Sequence, residues 1–305
     1  MISCVEIKMN KKIAVLLAAY NGIAWLKEQI ETILEQNNVD VIVYISVDIS
    51  TDVTYAYCLS LSHEYDNIHV LPYGEKFGGA GRNFYRLIKD IEFKNFDYIA
   101  FSDQDDIWHQ DKLINAIKKL QQYDCYSSNV TAFWEDGRDA LIDKAQPQRK
   151  WDYIFEAAAP GCTYVFRQDV AIQFKTWLVE HYEQVGDDIA LHDWLLYAFA
   201  RSQGYRWFID PEPMMLYRQH ANNQVGTNNS FGAAKKRLHM IKSKWYRKQC
   251  ANISEHLALH HLPIVKYGLN KGYIGNLYLI FHINQLRRRL RDRVALSIAL
   301  FFNLF

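Results

Sequence analysis

Tyr98-Ile99-Ala100-Phe101-Ser102-Asp103-Gln104-Asp105-Asp106-Ile107-Trp108 decides the reading of this chain. The apolar run Tyr98–Phe101 follows a polar bend at Lys94-Asn95 and reads as a buried strand. It stops at three carboxylates within four residues. Like charges held this close repel, and burying them unpartnered is costly. A divalent cation removes that cost. Asp103 and Asp105, two apart at a strand end, can both reach one cation or its ligands. Hard oxygen donors suit Mg²⁺ or Mn²⁺, and these favour a diphosphate. The other reading is a plain loop, with Asp106 capping a helix from about Gln110 and the remaining acids solvated.

Outward from this stretch, strands alternate with helices. Ile13–Ala18 reads as the first strand, followed by the turn Ala19-Tyr20-Asn21-Gly22 and a helix over Ile23–Gln36 with Leu26, Ile30 and Ile33 on one face. Val39–Val47 is a β-branched second strand, ending in the polar turn Asp48-Ile49-Ser50-Thr51-Asp52. A helix to about His63, a short strand Ile68–Leu71, a glycine-rich loop 74–81 and a helix Asn83–Ile91 lead back to the acidic stretch. Such alternation predicts an α/β fold with a mainly parallel sheet flanked by helices. Ligands of such sheets lie beyond the carboxyl ends of the strands, where 19–22, Asp48 and 103–106 all fall.

The second half is less regular. A helix is expected to about Tyr123, a strand over Val130–Trp134, a loop over 135–148, a strand over Gly161–Phe166 and a helix over Asp169–Val185. A helix opening at His192-Asp193-Trp194 and a strand Arg206–Ile209 precede Leu216-Tyr217-Arg218-Gln219-His220. Beyond about Thr227 the composition shifts. Residues 235–248 hold seven Lys or Arg and no acid, and Val294–Phe305 is almost wholly apolar. That last run is shorter than the roughly 20 residues needed to span a bilayer. The basic stretch reads either as a solvated helix face or as a membrane-surface contact, and the apolar end either packs on the domain, mediates a homodimer or joins that contact.

Composition bounds the function. With 305 residues, 50% apolar, the chain can bury a sizeable core, and a net charge of +1 gives no broad nucleic-acid footprint. Its five cysteines are odd in number and widely spaced, which fits a reducing cytosol better than a disulfide framework or a zinc site. Lys11-Lys12 and the apolar run after them imitate a secretory signal but pass into a turn and an amphipathic helix. Residues 1–8 read as an upstream extension.

Taken in order, Ala18-Ala19-Tyr20-Asn21-Gly22, Ser50-Thr51-Asp52, Asn83-Phe84, Ser102–Trp108, His192-Asp193-Trp194 and Leu216–His220 resemble family 2 glycosyltransferases of the GT-A fold. Within that family they look most like bacterial rhamnosyltransferases of cell-surface polysaccharide assembly. The resemblance implies a GT-A (Rossmann-like) domain over 9–226, its nucleotide-sugar half ending near 110, and a C-terminal helical region over 227–305. It implies inverting transfer from a nucleotide-diphosphate sugar, dTDP-L-rhamnose favoured, to a lipid-linked glycan at the inner face of the cell membrane. Asp48 matches the acid that bonds the base, Asp103 the acid near ribose and sugar, and Asp105 the metal-binding acid. Asp193 matches the general base, while Arg218 and His220 match residues closing over the diphosphate, His220 as a further metal ligand. Ala18, Tyr20, Asn21, Asn83, Gln104 and Asp106 fall in the donor-binding segments. Val47 and Ile49 replace the acid and glycine that usually flank Asp48, and Ala18 replaces a hydroxyl residue.

The residues themselves leave alternatives. Asp193 is a base or a helix cap, and His220 a ligand or a loop histidine. Trp108, His192 and Trp194 suit a sugar wall, although both tryptophans also suit a core. Two other functions fit an acidic strand end. One is a metal-dependent phosphohydrolase, which expects its acid pair after the first strand. The other is a non-catalytic nucleotide-sugar or membrane-binding protein.

Overall fold

The computed structural model describes residues 10–220 and 240–305. Among the described residues, eleven strands form two sheets. They are β1 (Lys11–Ala19), β2 (Val39–Val47), β3 (Ile68–Val70), β4 (Tyr98–Ser102), β5 (Ile107–Trp108), β6 (Cys125–Ser128), β7 (Val130–Trp134), β8 (Asp139–Ile142), β9 (Val165–Arg167), β10 (Trp207–Asp210) and β11 (Met215–Gln219). The main sheet has seven strands in the order β10-β6-β9-β4-β1-β2-β3, and the second has four in the order β5-β11-β7-β8.

β1 is the hub because it is apolar on both faces. Ala14, Leu16 and Ala18 enter one hydrophobic cluster, and Ile13, Val15, Leu17 and Ala19 enter the other. A strand covered by helices on both sides needs such an unbroken apolar run. β1 pairs in parallel with β2 and β4, with Leu17 opposite both Ile45 and Ser102. The expected mainly parallel α/β architecture therefore holds, with β9 inserted antiparallel between β4 and β6. The turns after β1, β2 and β4 open along one edge.

Several elements depart from expectation. Residues 135–148 hold β8, which pairs antiparallel with β7 through a turn where Gly137 takes φ +83°. Three of the four β8 residues are exposed, so the strand carries no apolar alternation to read. Gly161–Thr163 is one 3₁₀ turn rather than strand, and β9 begins at Val165. The helix expected over Asp169–Val185 breaks at His181, giving Gln168–Glu180 and Tyr182–Asp188. Asp106 does not cap a helix; the next one runs Lys112–Leu120 after Asp111.

The C-terminal helices Trp245–His256, Gly272–Phe281 and Leu290–Phe301 pack on the helix layer of the main sheet. Cys250, Ile253, Leu257, Leu296, Leu300 and Phe305 share one apolar cluster with Val185, Ile189 and Trp194. A buried polar seam reinforces it. Arg288 pairs with Asp152 at 3.2 Å and donates to the Ala157 and Ala158 carbonyls at 2.7 Å each. Arg287 donates to the Tyr246 hydroxyl at 2.6 Å and the Phe155 carbonyl at 2.7 Å. Two of the three consecutive arginines thus point inward. Tyr246 is likewise internal, stacked on Trp194 at 5.5 Å. Residues 235–239, and the boundary expected near 226, lie outside the described residues. No helix among the described residues is long and apolar enough to cross a membrane.

Candidate active site

The acidic loop after β4 is held by the distant strand β11. β11 pairs antiparallel with β5, Leu216 opposite Ile107, which carries Arg218 and His220 back over the acids. The Arg218 Nε donates to the Asp105 carbonyl at 2.9 Å, and its backbone N–H to Asp106 Oδ1 at 3.3 Å. Its guanidinium also pairs with Glu28 and lies 4.7 Å over the Phe133 ring. His220 Nε2 lies 2.7 Å from Asp105 Oδ2, and its ring stacks on Trp25 at 4.0 Å. Asp105, Arg218 and His220 are therefore brought together. Trp25 and Glu28 are additions; their helix-face positions gave no signal of this role.

The turns after β1 and β2 are tied to this loop. Gln104 bonds both backbone groups of Tyr20, accepting from its N–H at 2.8 Å and donating to its carbonyl at 2.9 Å. Asn21, at φ +44°, accepts from Thr51 N–H at 2.7 Å, and its own N–H donates to Ser50 Oγ at 3.0 Å. Asparagine tolerates this left-handed backbone better than most residues. Gly22 is required by proximity: a Cβ there would stand 2.1 Å from Gln104 Oε1. The Tyr20 ring, 53% exposed, projects from this turn.

Four donor-side expectations change. Asp48 is buried, and its carboxylate accepts from Ile49, Phe77 and Gly78 N–H groups at 2.8, 2.9 and 2.8 Å. It anchors the glycine-rich loop to β2 rather than standing open to a base. Asn83 is buried and donates to the Ala19 and Ser46 carbonyls, so it braces two strands. Ala18 is buried in the core. Asp106 is buried beneath the loop, with Oδ2 unpartnered. Burial, then the charges of Asp105 and Asp103, push its carboxyl well above the usual range. It lies beneath the loop, close to Cys162, and steadies β11 through the Arg218 N–H.

On the acceptor side, Asp193 is the second residue of the helix His192–Ser202. Its Oδ1 accepts from Trp194 N–H at 2.8 Å. Burial raises its carboxyl to about 6, moderated by the Trp194 and Gly161 amides and by the Lys144 charge. Its charge also reaches Asp103, whose carboxyl stands at about 7 through burial and the neighbouring Asp105 and Asp193. The base candidate and the donor acids therefore face one space. Gly161 lies against this pair: a Cβ there would meet the Asp193 Cβ at 2.9 Å and His192 Nε2 at 3.0 Å. The sequence marked it only as the first residue of an expected strand. Lys144, in a stretch read as loop, was missed.

The three aromatic walls are corrected. Trp108 is 3% exposed under the Lys112 ammonium, 3.5 Å from the ring centre. Trp194 is 3% exposed and donates through Nε1 to the Tyr153 carbonyl at 3.0 Å. His192 is buried and stacked on Phe84 at 3.8 Å, and burial lowers its pKa to about 3, so it is neutral. None offers a face to a sugar.

The residues present fit a hard dication. Acids crowd at the loop, and Asp103 is held partly protonated at neutral pH by burial and like charge, a state a bound cation reverses. Asp105 and His220 already meet at 2.7 Å, an oxygen and nitrogen pair that Mn²⁺ accepts. Asp103, Asp106 and Cys162 offer a second grouping, with donor atoms within 4.8 Å of one another. Its thiol is pushed well up by burial and so is a poor partner for a hard ion.

The family model described as glycosyl transferase family 2 matches residues 14–173. The chain is 50% identical, over 95% of its own length and all of the relative's, to the dTDP-rhamnosyl transferase RfbG of Shigella flexneri. Among solved structures it resembles S. aureus TarS 1–349 in complex with UDP, with a TM-score of 0.56, 13% identity and coverage of 96% and 90% of the two chains. It also resembles the mannosyltransferase PcManGT of Pyrobaculum calidifontis in complex with GDP-Man and Mn²⁺, with a TM-score of 0.51, 15% identity and coverage of 97% and 88%. These two likenesses concern the fold. The phosphohydrolase and non-catalytic readings lose their support, and the chain belongs to glycosyltransferase family 2.

Proposed function

We propose that this glycosyltransferase moves L-rhamnose from dTDP-L-rhamnose, with inversion, to a lipid-linked cell-surface glycan at the cytoplasmic face of the membrane. The observation that carries the donor is the 50% identity to a dTDP-rhamnosyl transferase along nearly the whole chain. Asp105 and His220, with Asp103 beside them, would hold Mg²⁺ or Mn²⁺. That ion supplies charge neutralisation for the leaving diphosphate. Arg218 steadies the loop that carries the acids, and the Tyr20 ring borders the donor space. Asp193 takes the proton of the acceptor hydroxyl from the opposite side.

A panel of dTDP-, UDP- and GDP-sugars with Mn²⁺ and a membrane-derived acceptor tests the reading. Transfer confined to dTDP-L-rhamnose is expected. Transfer only from UDP- or GDP-sugars overturns the donor while leaving the family and fold intact.

A further inference from the structure

The outer side of the C-terminal helices is unusually apolar. On Gly272–Phe281, Ile274, Leu277 and Phe281 are 77%, 40% and 88% exposed. On Leu290–Phe301 and just past it, Leu290, Val294, Ile298, Phe301 and Phe302 are all at least half exposed. Both sets recur every three or four residues, so each forms one stripe along its helix. The inner stripes, Leu279 on one helix and Leu296 and Leu300 on the other, are already used in the core. The Tyr273 hydroxyl donates to the Phe301 carbonyl at 3.2 Å, so the two exposed stripes meet. Scattered exposed apolar residues need no explanation, but a continuous patch marks a contact.

The charges around the patch say what covers it. Residues 257–305 hold seven Lys or Arg and one acid, Asp292. Asp292 is taken up by Arg287 and Arg291 at 3.4 and 3.3 Å. Arg287 and Arg288 are internal, which leaves Lys266, Lys271, Arg289, Arg291 and Arg293 around the apolar stripes. Lys266 and Lys271 line a shallow cleft with His260, His261 and Tyr267. A second copy of the chain pairing through this patch would set like charges against each other. An anionic lipid surface supplies acyl chains for the apolar side chains and phosphates for the cations around them.

We infer that the exposed stripes of 272–281 and 290–302, with the Lys266–Lys271 cleft, seat the enzyme on an anionic bilayer without crossing it. This deepens the lipid-linked acceptor proposed above and rests on it for its purpose, though not for its test. The seat packs against the acceptor side of the site. Trp194, next to Asp193, stacks on Tyr246, and Tyr246 is bonded by Arg287 in the same C-terminal seam. A glycan whose lipid end stays in the bilayer would thus meet a base linked to that surface by this packing.

Flotation of the full chain with phosphatidylcholine vesicles, with and without phosphatidylglycerol, tests this, alongside its mass in solution. Binding is expected only with phosphatidylglycerol and is lost at high salt. Ile274→Ser with Phe281→Ser should weaken it by at least about tenfold, since each removes apolar surface from the acyl region. Lys266→Gln with Lys271→Gln should weaken it too. None of the four positions belongs to the site described above, so sugar transfer to a water-soluble acceptor should persist. Loss of that transfer in the unmodified chain would fail the catalytic reading alone. Absence of binding at low salt, equal binding to neutral vesicles, or a dimer that the serine variants convert to monomer would each overturn the membrane seat.

Discussion

His220 and Asp105 stand 115 residues apart in the chain and meet at 2.7 Å, Nε2 to Oδ2. The contact exists because β11 pairs with the two-residue strand β5 just past the acids, and because Trp25 backs the imidazole at 4.0 Å. A histidine placed this way orients the carboxylate.

The first prediction concerns the metal ion. Donor binding should need Mg²⁺ or Mn²⁺ and vanish in chelator. His220→Ala should weaken Mn²⁺-dependent binding of the nucleoside diphosphate by roughly 10–100-fold, the range for removing groups that hold or orient metal ligands. Asp105→Asn should weaken it at least as much. Calorimetry with and without EDTA reads both. Equal affinity in EDTA would remove the metal from the site.

Gly161→Ala should harm catalysis more than stability. The added methyl meets the Asp193 Cβ at 2.9 Å and His192 Nε2 at 3.0 Å, so the acceptor-side carboxylate must shift. Small displacements of a catalytic group lower rate steeply, by about 10²-fold for 1 Å. Turnover should fall with donor affinity unchanged, and thermal unfolding should move little. A variant with normal turnover would show that the pair gives way without cost.

Arg288→Met tests the seam under the C-terminal helices. The guanidinium is buried among Asp152, Glu156 and two backbone carbonyls. Removing one member of such a cluster leaves buried carboxylates unbalanced and costs about 3–5 kcal/mol. Urea denaturation should show a loss of this order, and Arg288→Met with Glu156→Gln should lose less than the two changes added together. A change under about 1 kcal/mol would place the weight of the seam on its apolar contacts, since that is the median for an exposed pair.

How far the sequence carried depends on the kind of signal. β1, β2 and β4 were legible because strands buried on both faces write unbroken apolar runs. β8 was not, because an exposed edge strand needs no apolar residues. At the site, acids beside a strand end announced themselves by type and spacing. Trp108, Trp194 and His192 misled because a flat ring suits a sugar and a core equally, and only burial separates the two. Asp48 misled differently: its position was right, but three backbone N–H groups from residues 49, 77 and 78 converge on it through loop folding that no local pattern encodes. The arginine run 287–289 shows the same limit, since paired and solvated arginines look alike in a sequence.

The last prediction concerns the base. A sugar hydroxyl is a weak nucleophile at neutral pH, so a carboxylate must take its proton as the new bond forms. Asp103 and Asp105 are poor candidates once a cation holds them ionised. Asp193 faces the same space, and its carboxyl titrates at about 6, well above the usual 3.8, chiefly through burial. The working form of a base is the ionised one. Measured with saturating Mn²⁺, kcat/KM should therefore be flat above about pH 7 and fall as pH drops through 6, approaching about tenfold per unit below it. Asp193→Asn keeps the size and removes the base. It should lower turnover roughly 10²–10⁴-fold and abolish that acid limb, while donor and metal affinity stay near those of the unmodified enzyme. Lys144→Met removes a cation that favours the ionised form and should move the limb to higher pH without erasing it. Near-normal turnover in Asp193→Asn would put the base elsewhere, and lost donor binding would make Asp193 a residue of the nucleotide site.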